Sequence, residues 1–407
     1  MGRRGTTMLA GVLGLTAVAC GGGGSAGAKS KDGGGKTLTL AAALSLTGTQ
    51  AREGVLTREG YEICQQVVNG KGGLKVGDTT YTLAITYQDD TSTPDTAANL
   101  VDQFNDKGRK FLLGPYGSAS TSAAAAVVER NGQVMVDSAG ADDTIFTKGY
   151  RRTFAVLSPA SVYLSSIVKA LAELADPKPK TVAIVSADDG FSKTAAAAGR
   201  DEAGRQGMTV ADLQYVPNGT TDVSAALTRI RGGKPDVVLG SVHLAEGIAI
   251  VKQSGELGLR PSAFGETVAP PTPDFVTTLG AAAEGVLGSS QWTTETEGSD
   301  AWFGTAKDYA AAFRARYGRD PEYHNAEASA ACLALVEAIG KAGVLDADKV
   351  RDALAALDQA SFFGPLRFDP TGKNATKPMA VVQIQSGKAV TVWPKSAGTA
   401  ALRWPAR

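Results

Sequence analysis

The chemistry that this sequence suggests begins at Ser118, which follows the turn 114–117 (GPYG) and precedes an alanine-rich stretch ending at Arg130. The apolar run Phe111–Leu113 predicts a buried strand, so Ser118 stands at the carboxyl end of a strand and at the N-terminus of a helix. The first N–H groups of a helix lack intrahelical partners, and the helix dipole places partial positive charge beside them. This position therefore suits a carboxylate or another small anion.

Similar loops recur along the chain wherever a predicted strand is followed by a predicted helix or turn. In an open α/β sheet, ligands bind outside the carboxyl ends of the strands. The loops at these positions are rich in Gly, Ser and Ala, with an occasional aromatic or charged residue; they comprise Ser45–Gly48, Tyr116–Ser118, Ser138–Gly140, Asp188–Phe191, Ser241–His243 and Gly265–Glu266. The series predicts a small ligand held by backbone N–H groups and a few side chains.

The sequence offers little for catalysis. Its two histidines, His243 and His324, have no Cys, His or carboxylate neighbours at zinc spacing. No serine lies in a G-x-S-x-G elbow, and the first strand–helix turn lacks the G-x-G-x-x-G of a dinucleotide fold. The pair Asp188-Asp189 predicts a solvated turn, because two acids do not make a calcium loop. We therefore predict no enzyme activity, no metal and no cofactor.

Charge and composition exclude partners that are chosen by bulk electrostatics. The 407 residues include 41 Lys and Arg against 41 Asp and Glu, so the formal net charge is zero. A nucleic-acid partner is not predicted, since such proteins carry a basic patch or a basic excess. A hydrophobic fraction of 43% and a charged fraction of 20% are typical of a globular chain, and the length suffices for two domains.

Strand and helix patterns alternate along most of the chain, which predicts an α/β fold with parallel sheets and helices on both faces. One series of units begins near Thr37 and a second near Phe154, so we expect two doubly wound lobes. No long Pro- or Ser-rich linker separates the two series, which indicates closely hinged lobes. Towards the C-terminus the pattern predicts a strand over Val286–Trp292 and a long helix over Asp300–Tyr317.

The N-terminus has the pattern of a targeting segment. Arg3-Arg4 precede the apolar stretch Met8–Ala19, and small residues lead to Cys20. This order resembles a bacterial lipobox, so it predicts a signal peptide over 1–19 and a lipidated, flexible tether over 20–36. A plain secretory signal with an incidental cysteine is the alternative. No other stretch is apolar and long enough to cross a bilayer, so a lipid anchor on the extracytoplasmic face of the cell membrane would be the only attachment.

The other two cysteines, Cys64 and Cys332, lie on predicted amphipathic helices. They are either two buried free thiols or, in an oxidising exterior, partners in a disulfide.

The chain resembles the branched-chain amino-acid binding proteins that feed ABC importers. The resemblance covers roughly 37–393 and is carried by Ser45–Gly48, the block 114–139, Gly190-Phe191, His243 and Gly265-Glu266. It implies a type I periplasmic-binding fold, whose chain crosses three times between two lobes that close on ligand by a hinge. Lobe one would then comprise 37–157 plus 288–360, and lobe two 158–287 plus 361–407.

The resemblance also implies which lobe-one residues hold the carboxylate of a ligand. These are Ser118, at the helix N-terminus, and the small residues Ala139 and Gly140 after the next strand. The family often has a Thr just beyond, where this chain has Ala141, so one hydroxyl contact would be missing.

In lobe two the resemblance implies an aromatic contact at Phe191 and an acid, Glu266, that pairs with the ligand amine. A second aromatic position of the family is His243 here, which is either a structural histidine or a ligand contact. Its presence suggests a ligand other than Leu, Ile or Val. The predicted ligand-binding set is Ser45, Gly48, Tyr116, Gly117, Ser118, Ala139, Gly140, Phe191, His243 and Glu266.

These observations lead to one favoured function and two alternatives. We expect an extracytoplasmic receptor that captures an amino acid or a related small polar solute and delivers it to the membrane subunits of an ABC permease. A lipid-anchored sensor that presents the solute to a signalling partner would have the same sequence features. A hydrolase would need a nucleophile–base pair, which the motifs do not provide.

Overall fold

The computed structural model describes residues 36–406, in which each of two lobes is built on one β-sheet. The lobe-one sheet has the strand order β2-β3-β1-β4-β5-β6 and is parallel apart from the β2–β3 hairpin. Its strands are β1 Lys36–Leu44, β2 Leu74–Val76, β3 Thr79–Asp89, β4 Phe111–Leu113, β5 Val134–Asp137 and β6 Thr153–Ala155.

Lobe one takes its helices from both halves of the chain. The early helices are α1 Ala51–Gly70, α2 Pro94–Asp106 and α3 Ser118–Asn131, and the late ones are α9 Ala306–Tyr317, α10 Tyr323–Ala342 and α11 Ala347–Ala355. Helix α10 packs against α1 and is buried along most of its length. A helix that is apolar nearly all round belongs in a core, so the alanine-rich sequence of α10 accounts for its central position.

The lobe-two sheet has the order β17-β16-β11-β10-β9-β7-β8, with an antiparallel edge formed by β11, β16 and β17. Its strands are β7 Thr181–Ala187, β8 Thr209–Val216, β9 Val237–Ser241, β10 Ala263–Glu266, β11 Leu287–Ser290, β16 Ala380–Gln385 and β17 Lys388–Trp393. Its helices are α4 Tyr163–Leu174, α5 Gly190–Arg205, α6 Ser224–Arg231, α7 Leu244–Glu256 and α8 Pro273–Leu279. The predicted fold class, two doubly wound α/β lobes, is confirmed.

One predicted helix begins later than expected. The segment predicted as the first turns of a helix forms a small hairpin of β12 Ser299–Asp300 and β13 Gly304–Thr305. The Asp300 carboxylate accepts hydrogen bonds from the backbone N–H groups of Trp302 and Phe303, which favours a turn over a helix. Helix α9 then starts at a Thr305–Asp308 capping box.

The second and third crossings between the lobes lie further along the chain than predicted. Strand β11 pairs with β10 and β16, so residues 288–290 belong to lobe two rather than lobe one. The late hairpin of β14 Asp358–Ser361 and β15 Gly364–Arg367 contributes Phe362 to the lobe-one core, where its ring stacks on Tyr309 with a centroid distance of 4.2 Å. The apolar content of these short segments did not reveal which sheet they join.

Three buried residues, one from each crossing, bond to one another at the hinge. The backbone N–H of Ser158 donates to Oε1 of Gln291 at 3.0 Å, and Nε2 of Gln291 donates back to the Ser158 carbonyl at 3.0 Å. Ser158 Oγ donates to the carbonyl of Lys377 at 3.0 Å, and the Lys377 ammonium donates to the Gln291 carbonyl. The three crossings therefore form one hydrogen-bonded unit.

The structure selects one of the two alternatives for the internal cysteines. Cys64 of α1 and Cys332 of α10 form a disulfide, and both are buried. The bond links two helices that are far apart in sequence and that form the centre of lobe one.

The predicted signal peptide, Cys20 and almost all of the tether lie outside the described residues. Among residues 36–406, no single helix is long and apolar enough to span a membrane. Helices α10 and α11 pass a length and composition test only as a pair, and they meet at a bend of 113°.

Candidate ligand-binding cleft

A cavity of about 520 Å³ lies between the two lobes, at the carboxyl ends of the parallel strands. Its lobe-one wall is formed mainly by the start of α3, the loop after β5 and the start of α10, and its lobe-two wall by the starts of α5 and α7 and by Val268 after β10. A cavity of this size between rigid elements suits a small organic molecule.

The start of α3 forms one end of the cavity. Gly117 is the N-cap residue with φ of 85°, a left-handed conformation that a side chain would disfavour. Ser118 is the first helical residue, and its Oγ accepts a hydrogen bond from the backbone N–H of Asp142 at 3.1 Å. The Ser118 O–H therefore remains available to donate, beside the free N–H groups of the first helical turn.

The lobe-two wall contains a hydrogen-bonded pair, Asp189 and His243. Asp189 caps α5 by accepting from the N–H and Oγ of Ser192, both at 2.9 Å, and its Oδ2 lies 3.1 Å from Nε2 of His243. Burial opposes the charged form of His243, but the hydrogen bond and the negative charge of Asp189 outweigh it and raise the pKa of His243. His243 thus has a structural contact and also lines the cavity, so its role as a ligand contact stays a prediction.

Aromatic rings line both walls of the cavity. On the lobe-two side, Tyr163 and Phe191 meet edge to face with centroids 5.0 Å apart. On the lobe-one side, Tyr323 stacks on His324 at 4.0 Å, and Tyr116 lies 5.8 Å from the same imidazole. Such a lining favours a ligand with an apolar body or a cationic group.

Helix α10 brings two buried polar side chains to the cavity. His324 is 1% exposed and Glu327 is 2% exposed. Burial, reinforced by the positive charges of Arg52 and His243, lowers the pKa of His324 to about 3. Burial and the negative charge of Asp137 raise the pKa of Glu327 well above its usual value. Both side chains therefore favour their neutral forms.

Six of the ten predicted residues line the cavity, and four do not. Those at the cavity are Tyr116, Gly117, Ser118, Ala139, Phe191 and His243. Those that lie elsewhere are Ser45, Gly48, Gly140 and Glu266. The ligand-binding role of the first group stays a prediction. The second group does not line the cavity, so its predicted ligand-binding role is corrected.

Ser45 and Gly48 build the loop after β1 without reaching the cavity. Ser45 is fully buried and its Oγ donates to the Asp90 carboxylate at 2.8 Å. Gly48 has φ of 89°, and a Cβ there would lie 2.6 Å from the Thr91 carbonyl oxygen. The loop instead delivers Gln50 to the cavity.

The backbone donors after β5 are already occupied. The N–H groups of Ala139 and Gly140 donate to Oδ1 of Asp137 at 3.1 and 2.9 Å. Ala139 lines the cavity, but Gly140 packs against Thr121, where a Cβ would come within 2.5 Å of a side-chain carbon. These two N–H groups therefore have a partner inside lobe one, and Gly140, contrary to the prediction, does not reach the cavity.

Glu266 lies inside lobe two. It is fully buried at the end of β10, and a Cβ on Gly247 of α7 would lie 2.5 Å from its Oε2. The side chain thus points between the sheet and α7, whereas Val268, two residues later, lines the cavity. This placement corrects the predicted pairing of Glu266 with a ligand amine.

Sequence reasoning missed several lining residues that lie inside helices or on irregular segments. These include Gln50, Ser122, Asp142, Lys148, Tyr150, Tyr163, Asn218, Val268, Tyr323, His324 and Glu327. One signal was present: a tyrosine, a histidine and an acid interrupt the start of an alanine-rich, apolar helix. Within residues 36–406, no group of three or more His, Cys, Asp or Glu side chains is placed to hold a metal ion.

Two hinged α/β lobes with a ligand-sized cavity between them define a two-lobed solute-binding protein. The sequence matches the family described as periplasmic binding protein over residues 37–389, and the chain belongs to that family.

Individual relatives are distant but similar over most of their length. The Leu/Ile/Val-binding protein homolog 8 of Brucella melitensis is 25% identical over 376 residues, which are 88% of this chain and 91% of the relative. The branched-chain amino acid transporter substrate-binding protein LivJ of Streptococcus pneumoniae, solved with isoleucine, superimposes with a TM-score of 0.76 at 21% identity, covering 88% of this chain and all of that one. A solute-binding protein of an ABC transporter from R. palustris, solved with benzoate, has a TM-score of 0.74 at 18% identity, covering 90% and 98%. At such identities the structures establish the shared fold.

Proposed function

We propose that this chain is the solute-binding receptor of an ABC importer and that it captures an amino acid or a related small polar solute in the inter-lobe cavity. The family and the names of its relatives support the importer role over the signalling alternative. The observation that carries the proposal is a cavity shared by both lobes, with the first turn of α3 at one end and aromatic rings along its walls.

The start of α3 supplies the contacts for a carboxylate. The Ser118 hydroxyl and the first N–H groups of α3 form a set of donors beside the positive end of the helix dipole. Ala141 also lines the cavity, and its methyl group cannot supply a hydroxyl contact. The carboxylate is therefore held mainly by backbone donors and one hydroxyl.

The two lobes close over the solute by a hinge. In the described conformation, Arg52 of lobe one pairs with Asp274 at the start of α8 in lobe two. Thr194 of lobe two donates to the Asp142 carboxylate of lobe one at 3.0 Å. These contacts cross the cleft and are lost when it opens, which matches hinge closure as the mode of capture.

The proposal includes anchoring of the receptor by a lipid on Cys20, on the extracytoplasmic face of the membrane. The order of charged, apolar and small residues before Cys20 supports this part. Replacing Cys20 by Ser should release the protein or leave its precursor uncleaved. Normal processing with unchanged membrane retention would contradict lipidation.

A thermal-shift screen tests the function directly. A ligand that binds only the folded state raises the melting temperature, so an amino acid, amide or small organic acid that fits the cavity should stabilise the purified protein. Small-angle scattering of the best-stabilised complex should then show a smaller radius of gyration than the free protein. A receptor for solutes of these classes is ruled out if none of the compounds shifts the melting temperature.

A further inference from the structure

We propose that Glu327 is the residue that receives a protonated amine of the solute, assisted by His324 and by the aromatic rings around it. This inference rests on the proposed function and deepens it, because it assigns the solute a cationic nitrogen and places that nitrogen on lobe one. It replaces Glu266, which the structure buries inside lobe two.

The hydrogen bonds of the three acids that line the cavity single out Glu327. Asp142 accepts from the N–H and Oγ1 of Thr144 and from Oγ1 of Thr194, at 2.9–3.0 Å. Asp189 accepts from Ser192 twice and also bonds to His243. In contrast, Oε2 of Glu327 is buried and has no hydrogen-bond partner among residues 36–406.

A buried carboxyl oxygen without a partner carries a desolvation cost, which a hydrogen-bond donor in the cavity would offset. Lys377 is a candidate donor inside the protein, because its charge acts on Glu327. Its ammonium instead donates to the carbonyl of Gln291 and lies 4.1 Å from the centre of the Phe363 ring. No ion pair joins Glu327 to Lys377 in the described part of the chain, so this carboxyl oxygen is open to a donor group of the solute.

His324 offers a second acceptor on the same face of α10. It precedes Glu327 by three residues, a spacing that places two side chains side by side on a helix. Both of its ring nitrogens are buried and lack hydrogen-bond partners among the described residues. A neutral imidazole has one nitrogen that accepts, so Glu327 and His324 together can accept two of the three N–H bonds of a primary ammonium.

The surrounding rings favour a positive group. Tyr116, Tyr163 and Tyr323 line the cavity, and all three interact electrostatically with Glu327. The face of an aromatic ring attracts a cation within about 6 Å, and the attraction is strongest where water is excluded. A carboxylate at the start of α3 and an ammonium at Glu327 would then place a zwitterion across the lobe-one wall.

The binding of such a solute should release protons. The groups that act on Glu327 are Asp137 of β5, Lys377 of the third crossing and the tyrosines at 61, 116, 163 and 323. Burial and Asp137 favour the protonated carboxyl in the empty cavity. An arriving ammonium reverses this balance, because an opposite charge at contact distance favours the ionised carboxylate.

The test measures binding of three matched sets of compounds to the full chain: the L-amino acids, the amines left by removing their carboxylates, and the acids left by removing their ammonium groups. We expect the amino acid that stabilises the protein most to bind at least ~30-fold more tightly than its amine-free acid. Glu327→Gln should remove this preference, and Glu266→Gln, the matched buried acid, should leave it unchanged.

Calorimetry in two buffers of different ionisation enthalpy provides a second measurement. Wild-type protein should release protons on binding the amino acid, and Glu327→Gln should release fewer. The melting temperature of each unliganded variant shows that it is folded.

The outcomes separate the two proposals. Tight binding of an amine-free acid, unaffected by Glu327→Gln, overturns the role of Glu327 and leaves a solute receptor for carboxylic acids. A loss that is equal in Glu266→Gln and Glu327→Gln also overturns it, because the effect then lies in general stability. If no compound of the three sets binds the wild-type chain, the amino-acid receptor and the assignment of Glu327 both fall.

Discussion

The two walls of the cavity begin in the same way, with the first turn of a helix that follows a parallel strand. On the lobe-one wall, Ser118 and Glu327 keep a donor and an acceptor atom that no other residue of the described chain uses. On the lobe-two wall, Asp189 bonds to Ser192 and His243. Under the proposed function, lobe one would bind the polar ends of a solute and lobe two would close over it.

This difference implies an order of events. A solute can make its polar contacts with lobe one while the cleft is open, because those atoms require nothing from lobe two. Closure would then bring the Phe191 ring against the solute. It would also form the cross-lobe contacts of Arg52 with Asp274 and of Thr194 with Asp142. Affinity should respond mainly to changes in the lobe-one wall, whereas changes in the lobe-two wall should affect stability or closure.

The largest expected effect concerns the disulfide that holds α10 against α1. Cys332→Ala should lower the free energy of unfolding by about 2–5 kcal/mol, since removing a native disulfide from a folded domain has a cost of this size. Urea unfolding of the oxidised wild type, the reduced wild type and the variant measures it. Equal stability of all three would show that lobe one does not depend on the bond.

A pH-dependent effect is expected at His324. Its pKa is lowered to about 3 in the folded state, so between that value and about 6.5 the unfolded chain binds more protons and stability falls as the pH falls. At about pH 4.5 the loss should reach roughly 2–3 kcal/mol. His324→Phe, which keeps a ring beside Tyr323, should flatten the dependence of stability on pH in this window. An unchanged slope in acid unfolding curves would contradict a buried, neutral His324.

A pair of serine variants compares the two walls directly. Ser118→Ala should weaken solute binding by about 0.5–1.5 kcal/mol with little effect on stability, since backbone donors remain. Ser192→Ala should lower stability by a similar amount with little effect on affinity, because it removes a bond within the α5 cap. Calorimetry and thermal melts of both variants check this; the opposite pattern would reverse the roles of the walls.

The smallest effect is expected at the cross-lobe ion pair. Arg52 is 29% exposed and Asp274 is 52% exposed, so the pair is screened and contributes about 0.2–1 kcal/mol to the closed state. Asp274→Asn should weaken solute binding by this amount and should do so less at high salt. Asp320→Asn, which alters a pair confined to lobe one, is the matched control. No difference between these variants would mean that the pair does not favour closure.

Local patterns in the sequence determined the alternating elements and the helix start that forms one end of the cavity. Strand and helix periods depend on neighbouring residues, so the units around β4 and α3, and the placement of Ser118 at the first turn of α3, followed from sequence alone. Local patterns did not predict the hairpin at Asp300, because the Asp300 carboxylate that stabilises this turn also accepts from the N–H of Phe362, which is distant in sequence.

Tertiary packing alone decided which polar groups face the cavity. Glu266 and Glu327 are both buried acids, and their sequence surroundings do not show that one points between β10 and α7 while the other points into the cleft. The sequence also does not show that the N–H groups of Ala139 and Gly140 donate to the Asp137 carboxylate. The direction of a side chain within a packed core depends on which elements pack against it, and a local pattern does not record that packing.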